Sequence, residues 1–246
     1  MTALTPTTAL ATAAEALQAG SAVVFPNPYP LTSVVAATAQ NVVNNAKGRP
    51  ADQAVALWLV DDDCWAEFAD ALDLDAGTRL FARDLLVRER LTLLLPLGSG
   101  HVPDWARPAI RDGHAWCSAP AGTPLRPILA GHLHVSSANR TGHPPAASQA
   151  EARATFPPEV HVLDADDGSP ATGRAATTTL RLSRGYALTH TRSGAQDRAH
   201  GGPDVYLTYL RAARGAAAPA VPARQIGRPL LAHCGVIRCR RLRGEA

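Results

Sequence analysis

Apolar residues follow two kinds of pattern along this chain. Short apolar runs bounded by turn residues are typical of buried strands, whereas apolar residues three or four positions apart predict helices. The runs predict strands at residues 21–26, 54–60, 91–95, 115–118, 134–136, 160–163, 177–182 and 187–191. The helical spacing predicts helices at residues 8–18, 34–45, 64–72, 76–87, 124–131, 149–155 and 204–214.

The alternation of these strands and helices predicts an α/β domain with a mixed, twisted sheet. The pattern changes after residue 194, where AQDRAHGGPD predicts a linker and GAAAPAVPAR is a low-complexity segment before an arginine-rich end. We therefore divide the chain into a folded domain, residues 1–195, and a linker with a basic tail, residues 196–246. The second part is expected to add little to the main core.

Composition narrows the class of protein. Of the 246 residues, 46% are hydrophobic, which fits a globular core, and a net charge of +3 does not demand a nucleic-acid partner. The four cysteines form no C-x-x-C pair, which predicts free thiols in a reducing compartment. The sequence has neither a signal-peptide pattern nor an apolar run of about 18 residues, so we expect a cytoplasmic protein with no membrane contact.

Two short motifs carry the candidate chemistry: AKGRP, with Lys47 and Arg49, and VSSAN, with Ser137 and Asn139. Lysine supplies a mobile point charge and arginine a planar fork of donors, while serine and asparagine hold a hydroxyl or a base edge. Brought together by the fold, the four side chains suit a phosphate or a bicarbonate. Taken singly, each motif is weak evidence, and a solvated loop or a turn is the favoured explanation.

Other polar residues favour structural roles. His132 and His134 alternate along one predicted strand and could begin a metal site, but no third ligand stands near them. The run 61–63 and the acidic residues of 164–167 are more typical of turns and helix caps than of a cation site. We therefore predict no protein-bound metal.

The order of motifs resembles the YrdC-like family of threonylcarbamoyl-adenylate synthases over about residues 8–195. The motifs are a strand ending in FP, then KGRP, LT-x-x-L-P, SSAN-x-x-G, TTTLRL and TRSGA. The resemblance implies an open, twisted mixed sheet with flanking helices around a concave basic cavity. It also implies synthesis of threonylcarbamoyl-adenylate from threonine, bicarbonate and ATP for a tRNA modification. Related domains handle carbamoyl-adenylate in carbamoyl transfer.

The resemblance assigns roles to single residues. The catalytic set matches Lys47, Arg49, Ser137 and Asn139. The nucleotide contacts fall on Arg49, Gln53, Thr92, Asn139 and Arg192. Thr92 matches the threonine of a P-G-P-x-T segment, although Arg88, Glu89 and Arg90 replace its glycine and prolines. The implied cofactor is ATP with Mg²⁺ held through the phosphate oxygens.

The acceptor side departs from the family pattern. The family's FPTDTVYGL is FPNPYPLTS here, so Asn27 and Tyr29 replace threonines. Trp58 replaces a residue that is polar in many relatives, and Ser118 replaces an arginine that would pair with the threonine carboxylate. The expected substrate pocket comprises Asn27, Tyr29, Trp58, Ser118, Ser136 and Thr177. These changes predict that free threonine is a poor acceptor.

Three functions stay open from the sequence. The first is an ATP-dependent enzyme that forms a carbamoyl-adenylate from bicarbonate and a small amine or amino acid. The second is a non-catalytic protein that binds a nucleotide, or binds RNA through the basic cavity or tail. The third is a carbamoyltransferase that uses preformed carbamoyl-adenylate.

Overall fold

A single mixed sheet lies at the centre of the computed structural model, which describes residues 6–120, 131–164 and 168–216. Its strands within those ranges are β1 (Val23–Phe25), β2 (Val34–Ala37), β3 (Ala56–Leu59), β4 (Thr92–Pro96), β5 (Ile110–Arg111), β6 (His114–Ser118), β7 (His132–Ser137), β8 (His161–Val162), β9 (Thr179–Ser183) and β10 (Ala187–Arg192). Their order is β10-β9-β4-β6-β3-β7-β2-β1-β8, and β5 pairs with β6. The pairs β3–β6, β4–β9 and β1–β8 are parallel and the others are antiparallel.

Helices cover both faces of this sheet. They are α1 (Pro6–Gln18), α2 (Gln40–Lys47), α3 (Asp62–Ala69), α4 (Ala76–Val87), α5 (Gln149–Thr155), α6 (Ala195–Ala199) and α7 (Pro203–Ala216), with 3-10 helices at Asp104–Ala109 and Arg184–Tyr186. Asp61, Asp75 and Ser148 cap α3, α4 and α5 by accepting a hydrogen bond from a backbone N–H in the first turn. The predicted α/β architecture, an open mixed sheet with flanking helices, is therefore confirmed.

The predicted helix at residues 34–45 is wrong in its first half. Residues Val34–Ala37 form strand β2, which pairs with β1 on one side and β7 on the other, and the helix begins only at Gln40. The run VVAA has no clear helical period of its own. Val35 and Ala36 are fully buried, one on each face of the sheet, as expected for a central strand. The predicted helix at residues 124–131 lies almost wholly outside the described residues.

The predicted linker after residue 194 is wrong at helix α6, where Ala195 and Asp197 are buried, whereas the helix predicted at residues 204–214 is observed as α7. The buried carboxylate of Asp197 accepts hydrogen bonds from Thr178 Oγ1 and from the N–H of Gly194, both at 2.6 Å. Tyr206 and Leu210 of α7 belong to the main hydrophobic core. The expectation that residues beyond 195 add little to the core is therefore wrong for α7. Residues 217–246 lie outside the described part.

Side chains alternate between the two faces of the sheet, and the two faces are covered differently. Leu57, Leu93 and Cys117 point to one face, where α3, α4 and α7 complete the largest core cluster. Their neighbours Trp58, Thr92 and Ser118 therefore point to the opposite face. On that face α1 packs over β1 and reaches Trp58, and a cavity lies beyond it.

The structure bears on two of the expectations from the sequence, the free thiols and the lack of a membrane-spanning segment. Cys64 and Cys117 are buried, free thiols, while Cys234 and Cys239 lie outside the described residues. Among the helices that the structure describes, none is long and apolar enough to span a membrane.

The packing of α7 predicts a clear stability contrast. Leu210 is 1% exposed and Val205, on the same helix, is 56% exposed. Leu210→Ala should lower the free energy of unfolding by about 2–5 kcal/mol, because it removes buried methyl groups and leaves a cavity. Val205→Ala should change it by less than about 0.5 kcal/mol. Urea unfolding measures both, and a Leu210→Ala value as small as that of Val205→Ala would show that α7 does not pack.

Candidate functional site

A cavity of about 340 Å³ lies on the sheet face beside α1. Its floor includes Trp58, Trp116 and Val135, which come from three neighbouring strands. Residues 175–177 close one side, because Ala175 bridges to Leu31 in the loop between β1 and β2. The cavity is thus built from the β1–β2 loop, the middle of the sheet and the segment that leads into β9.

The turn K-G-R places two cations in this cavity. Lys47 is the last residue of α2, and Gly48 ends the helix with φ of 67°, donating its N–H to the carbonyls of Asn44 and Asn45. A left-handed C-terminal residue of this kind favours glycine. A Cβ at Gly48 would also lie 2.9 Å from the guanidinium of Arg140. The glycine therefore turns the chain so that Lys47 and Arg49 both line the cavity.

Lys47 joins this turn to the VSSAN motif. Its Nζ donates to the carbonyl of Asn139 at 2.8 Å, to Asn139 Oδ1 at 2.9 Å and to the carbonyl of Ser137. The side chain is almost fully buried, at 3% exposure. Burial, together with the positive charge of Arg49, lowers the pKa of Lys47 to about 7.

Ser137 and Asn139 also line the cavity, but much of their hydrogen bonding stays within the loop. Asn139 Oδ1 accepts from Ser137 Oγ at 2.6 Å, and its Nδ2 donates to the carbonyls of Arg140 and His143. The structure therefore brings together the four residues of the two motifs. It shows Asn139 as the residue that shapes the loop around Lys47.

Arg49 has donors to spare. Its Nε donates to Asn44 Oδ1 at 2.5 Å, and Asn44 is itself held by the carbonyls of Ala51 and Gln53. Nη2 is buried and has no hydrogen-bond partner among the described residues. Burial lowers the pKa of this guanidinium. A buried, unpaired donor on a charged group is unfavourable, and a ligand oxyanion in the cavity would satisfy it.

The other end of the cavity carries Thr92, Thr177 and Arg192. Thr92 Oγ1 and Thr177 Oγ1 are 2.7 Å apart, and Arg192 Nη2 donates to the carbonyl of Thr177 at 3.1 Å. Burial lowers the pKa of Arg192. The glycine of TRSGA permits this packing, since a Cβ at Gly194 would lie 2.2 Å from the backbone nitrogen of Thr178.

Two further arginines line the cavity that the sequence reasoning did not single out, Arg90 and Arg111. Arg111 precedes the turn formed by Asp112 and Gly113, with φ of 51° and 72°. An Asp-Gly pair between short strands is a strong hairpin signal and could have located Arg111 beside β6. No such local signal marks Arg90.

The charges of the lining are one-sided. Five cations line the cavity: Lys47, Arg49, Arg90, Arg111 and Arg192. Among the described lining residues there is no aspartate or glutamate. A concave surface of one sign concentrates ligands of the opposite sign. Lys47 is also unusual in the sequence, because it is the only lysine among the 24 lysine and arginine residues.

Most residues of the expected acceptor pocket also line this cavity, but Tyr29 does not. Asn27, Trp58, Ser118, Ser136 and Thr177 line it, as does Gln53 from the expected nucleotide contacts. Tyr29 is 46% exposed, and its ring lies 5.7 Å from the guanidinium carbon of Arg174. Tyr29 is therefore not among the residues that line the cavity. Its ring lies in the loop between β1 and β2, against Arg174.

The two histidines of β7 lie beside α3 rather than in the cavity. The ring of His132 stacks on Trp105 with 4.4 Å between centroids, and burial lowers the pKa of His134 to about 4. Asp61, at the start of α3, accepts from the backbone N–H of Cys64 and of Gly131. In the described ranges, no group of three or more His, Cys, Asp or Glu side chains is arranged to hold a metal ion. The helix cap formed by Asp61 is the role that the sequence favours for the run 61–63.

Comparison with known proteins finds similar structures. No family model and no curated protein matches the sequence. Sua5 from P. abyssi, solved in complex with L-threonine, superposes with a TM-score of 0.57 at 19% identity, over 78% of this chain and 56% of Sua5. YciO from E. coli superposes with a TM-score of 0.57 at 14% identity, over 79% of this chain and 93% of YciO. This chain has the Sua5 fold.

A third similar structure, matched over part of its length, is full-length HypF, solved in its phosphate- and nucleotide-bound form. It matches with a TM-score of 0.57 at 15% identity, over 75% of this chain and 29% of HypF. The chain therefore spans little more than half of Sua5, less than a third of HypF and almost all of YciO. The resemblance to YrdC-like proteins is confirmed as a shared fold.

The single lysine makes the pKa of Lys47 directly measurable. With ¹³C-labelled lysine the protein gives one side-chain Cε signal, and its shift against pH should titrate near 7 rather than near the ordinary value of about 10.4. The titration needs no ligand and no mutation. A midpoint near 10 would show that Lys47 is not desolvated.

The same shift should appear as pH-dependent stability. Between about pH 7 and 10 the unfolded chain holds a proton on Lys47 that the folded chain has released, so this residue adds stability as the pH rises. Lys47→Met removes that contribution, and the wild type should gain stability relative to this variant from pH 7 to pH 10. A difference that is constant over this range in urea unfolding would contradict the lowered pKa.

Proposed function

We propose that this protein is an ATP-dependent enzyme that forms a carbamoyl-adenylate on an acceptor other than threonine. The observation that carries the proposal is the cavity itself, with five cations, no described acidic lining residue and the unpaired, buried Nη2 of Arg49. These features suit a ligand with several negative charges, as ATP is. HypF, which matches this fold over part of its length, was solved in a phosphate- and nucleotide-bound form, which supports the same class of ligand.

The proposed reaction has two steps. The acceptor amine attacks bicarbonate, giving a carbamate and water. A carbamate oxygen then attacks the α-phosphorus of ATP, the bond to the leaving oxygen breaks, and pyrophosphate departs. No described carboxylate or histidine lines the cavity, and Lys47 Nζ already donates to three oxygens of the VSSAN loop, so the proposed reaction depends mainly on positioning and charge stabilisation.

The residues of the cavity divide these tasks. Arg49 Nη2 donates to a phosphate oxygen, and the Lys47 ammonium lowers the energy of charge that builds on the phosphates. Ser137 and Asn139 hold Lys47 in place, and Arg192 contacts the nucleotide from the other end. Mg²⁺ supplies further charge neutralisation when it enters with ATP. Because the described lining offers no carboxylate, phosphate oxygens and water would be its ligands.

The proposed change of acceptor rests on three lining residues. Ser118 cannot form the bidentate contact that an arginine makes with a carboxylate, and Trp58 places a large ring in the floor. The amide of Asn27 donates to the carbonyl of Thr32 at 2.9 Å, so it is partly committed to its own loop. A site that lacks a specific polar partner discriminates strongly against the corresponding ligand.

Pyrophosphate release from ATP and bicarbonate, measured across a panel of amino acids and amines, tests this function. We expect release with at least one acceptor and weak or absent release with threonine. Turnover of threonine at the rate of a threonylcarbamoyl-adenylate synthase assayed beside it would overturn the altered acceptor. ATP binding with no release for any acceptor would instead favour a binding protein or a carbamoyltransferase.

Arg49 offers a direct test of nucleotide binding. Arg49→Ala should weaken ATP binding by roughly 1–3 kcal/mol, because it removes a charged hydrogen-bond donor. Arg107→Ala is a matched control, since Arg107 pairs with Asp104 at 2.9 Å on the surface and does not line the cavity. Calorimetry gives both affinities. An unchanged affinity in a folded Arg49→Ala protein would remove Arg49 from the ATP site.

A further inference from the structure

An extra residue interrupts the pairing of the last two strands just before the cavity. β10 runs antiparallel to β9 in regular register as far as His190, which lies opposite Leu180. The next pair is Arg192 opposite Thr179, so Thr191 between them has no pairing position of its own. Two residues of β10 therefore oppose one residue of β9, which is the definition of a β-bulge.

This bulge determines which face of the sheet Arg192 occupies. Leu180 belongs to the main core, and Thr178 is fully buried on the same face. Thr179 lies between them on the opposite face, where it pairs with Thr92 of the cavity lining. In regular register Arg192 would lie opposite Thr178, on the core face. With the bulge it lies opposite Thr179 and lines the cavity.

The regular register would also bring Arg192 close to a buried carboxylate. The hydroxyl of Thr178 donates to Asp197 at 2.6 Å, and Asp197 is only 1% exposed. His190 lies on that face, with Nε2 at 3.4 Å from the same carboxylate. A guanidinium opposite Thr178 would pair with Asp197, because opposite charges attract strongly where water is excluded. On the cavity face no described carboxylate of the lining is present to pair with Arg192.

Hydrogen bonds hold the chain on both sides of the bulged residue. Thr191 Oγ1 donates to the carbonyl of Thr179 at 2.8 Å, so the side chain of the extra residue itself ties the bulge to β9. Beyond the bulge, the N–H of Gly194 donates to Asp197 Oδ1 at 2.6 Å. The backbone around Arg192 is therefore fixed by contacts that involve neither its own side chain nor a ligand.

We propose that Thr191 is a positioning residue of the nucleotide site, because the bulge that it forms turns Arg192 from the core face of the sheet into the cavity. The inference rests on the proposed function, in which Arg192 contacts the nucleotide. Thr191 itself does not line the cavity. Its effect on nucleotide binding therefore passes through Arg192 and disappears when that guanidinium is removed.

A double-mutant cycle on ATP affinity tests this role. Thr191→Val removes the hydroxyl that bonds to β9 and keeps a branched side chain, whereas Thr191→Ser keeps the hydroxyl. Each is made alone and together with Arg192→Ala, and calorimetry gives the affinities. Thr189→Val is the matched control, because Thr189 is exposed on the same strand, lies in regular register and does not line the cavity.

Thr191→Val should weaken ATP binding roughly 2- to 12-fold, the range for one lost neutral hydrogen bond that favours the binding conformation. Thr191→Ser and Thr189→Val should bind ATP as the wild type does. In the Arg192→Ala background, Thr191→Val should cause no further loss. A residue that only stabilises the fold would give the same loss in both backgrounds. That equal loss, or an unchanged affinity in Thr191→Val, would overturn the proposal.

A failure of the proposed function gives a different result. If the wild type binds ATP but releases no pyrophosphate with any acceptor, the cycle is measured in the same way, and a loss in Thr191→Val that depends on Arg192 still supports the positioning role. If the wild type does not bind ATP, the cycle is repeated with inorganic triphosphate. The same dependence on Arg192 then supports the role of Thr191. An equal loss in both backgrounds, or no binding of triphosphate to the wild type, overturns it.

Discussion

The cavity depends on one buried ammonium group. Lys47 lies at the end of α2 and Ser137 at the end of β7, 90 residues later, and three oxygens of the VSSAN loop surround the lysine Nζ. An ammonium has three donors, and here they meet three acceptors. This arrangement closes one end of the cavity and fixes the angle at which Gly48 and Arg49 leave the helix.

The electrostatic character of the site follows from what surrounds that group. Burying cations without acidic partners is unfavourable, and the lowered pKa values of Lys47, Arg49 and Arg192 express that cost. The main chain and amide oxygens offset part of it. The part of the desolvation cost that is not offset favours anion binding, because an oxyanion would replace the lost solvation of the cations.

Helices α6 and α7 do not line the cavity, but they contact the turn that carries one of its arginines. Gln196 of α6 holds the turn that carries Arg90, and Tyr206 of α7 holds the carboxylate of Glu89. Both C-terminal helices therefore contact the turn that carries Arg90.

The sequence alone determined the elements that carry their own signals. Helix α4 begins and ends as predicted, because Asp75 caps a segment with apolar residues at helical spacing. The motifs K-x-R and S-x-N were likewise visible, since their residue types suit an oxyanion wherever the fold places them. The run 34–37 has no such signal, and its strand conformation comes from pairing with β1 and β7.

Only the tertiary structure decided which side chains enter the cavity. Tyr29 stands in an expected pocket motif but lies against Arg174 and does not line the cavity, whereas Arg90 stands in a segment that departs from the motif and lines it. The direction of Arg90 depends on a positive φ that Gln196, 106 residues away, helps to hold. Local patterns report propensity and periodicity. The orientation of a side chain at a loop is set by partners that the chain reaches only when it is folded.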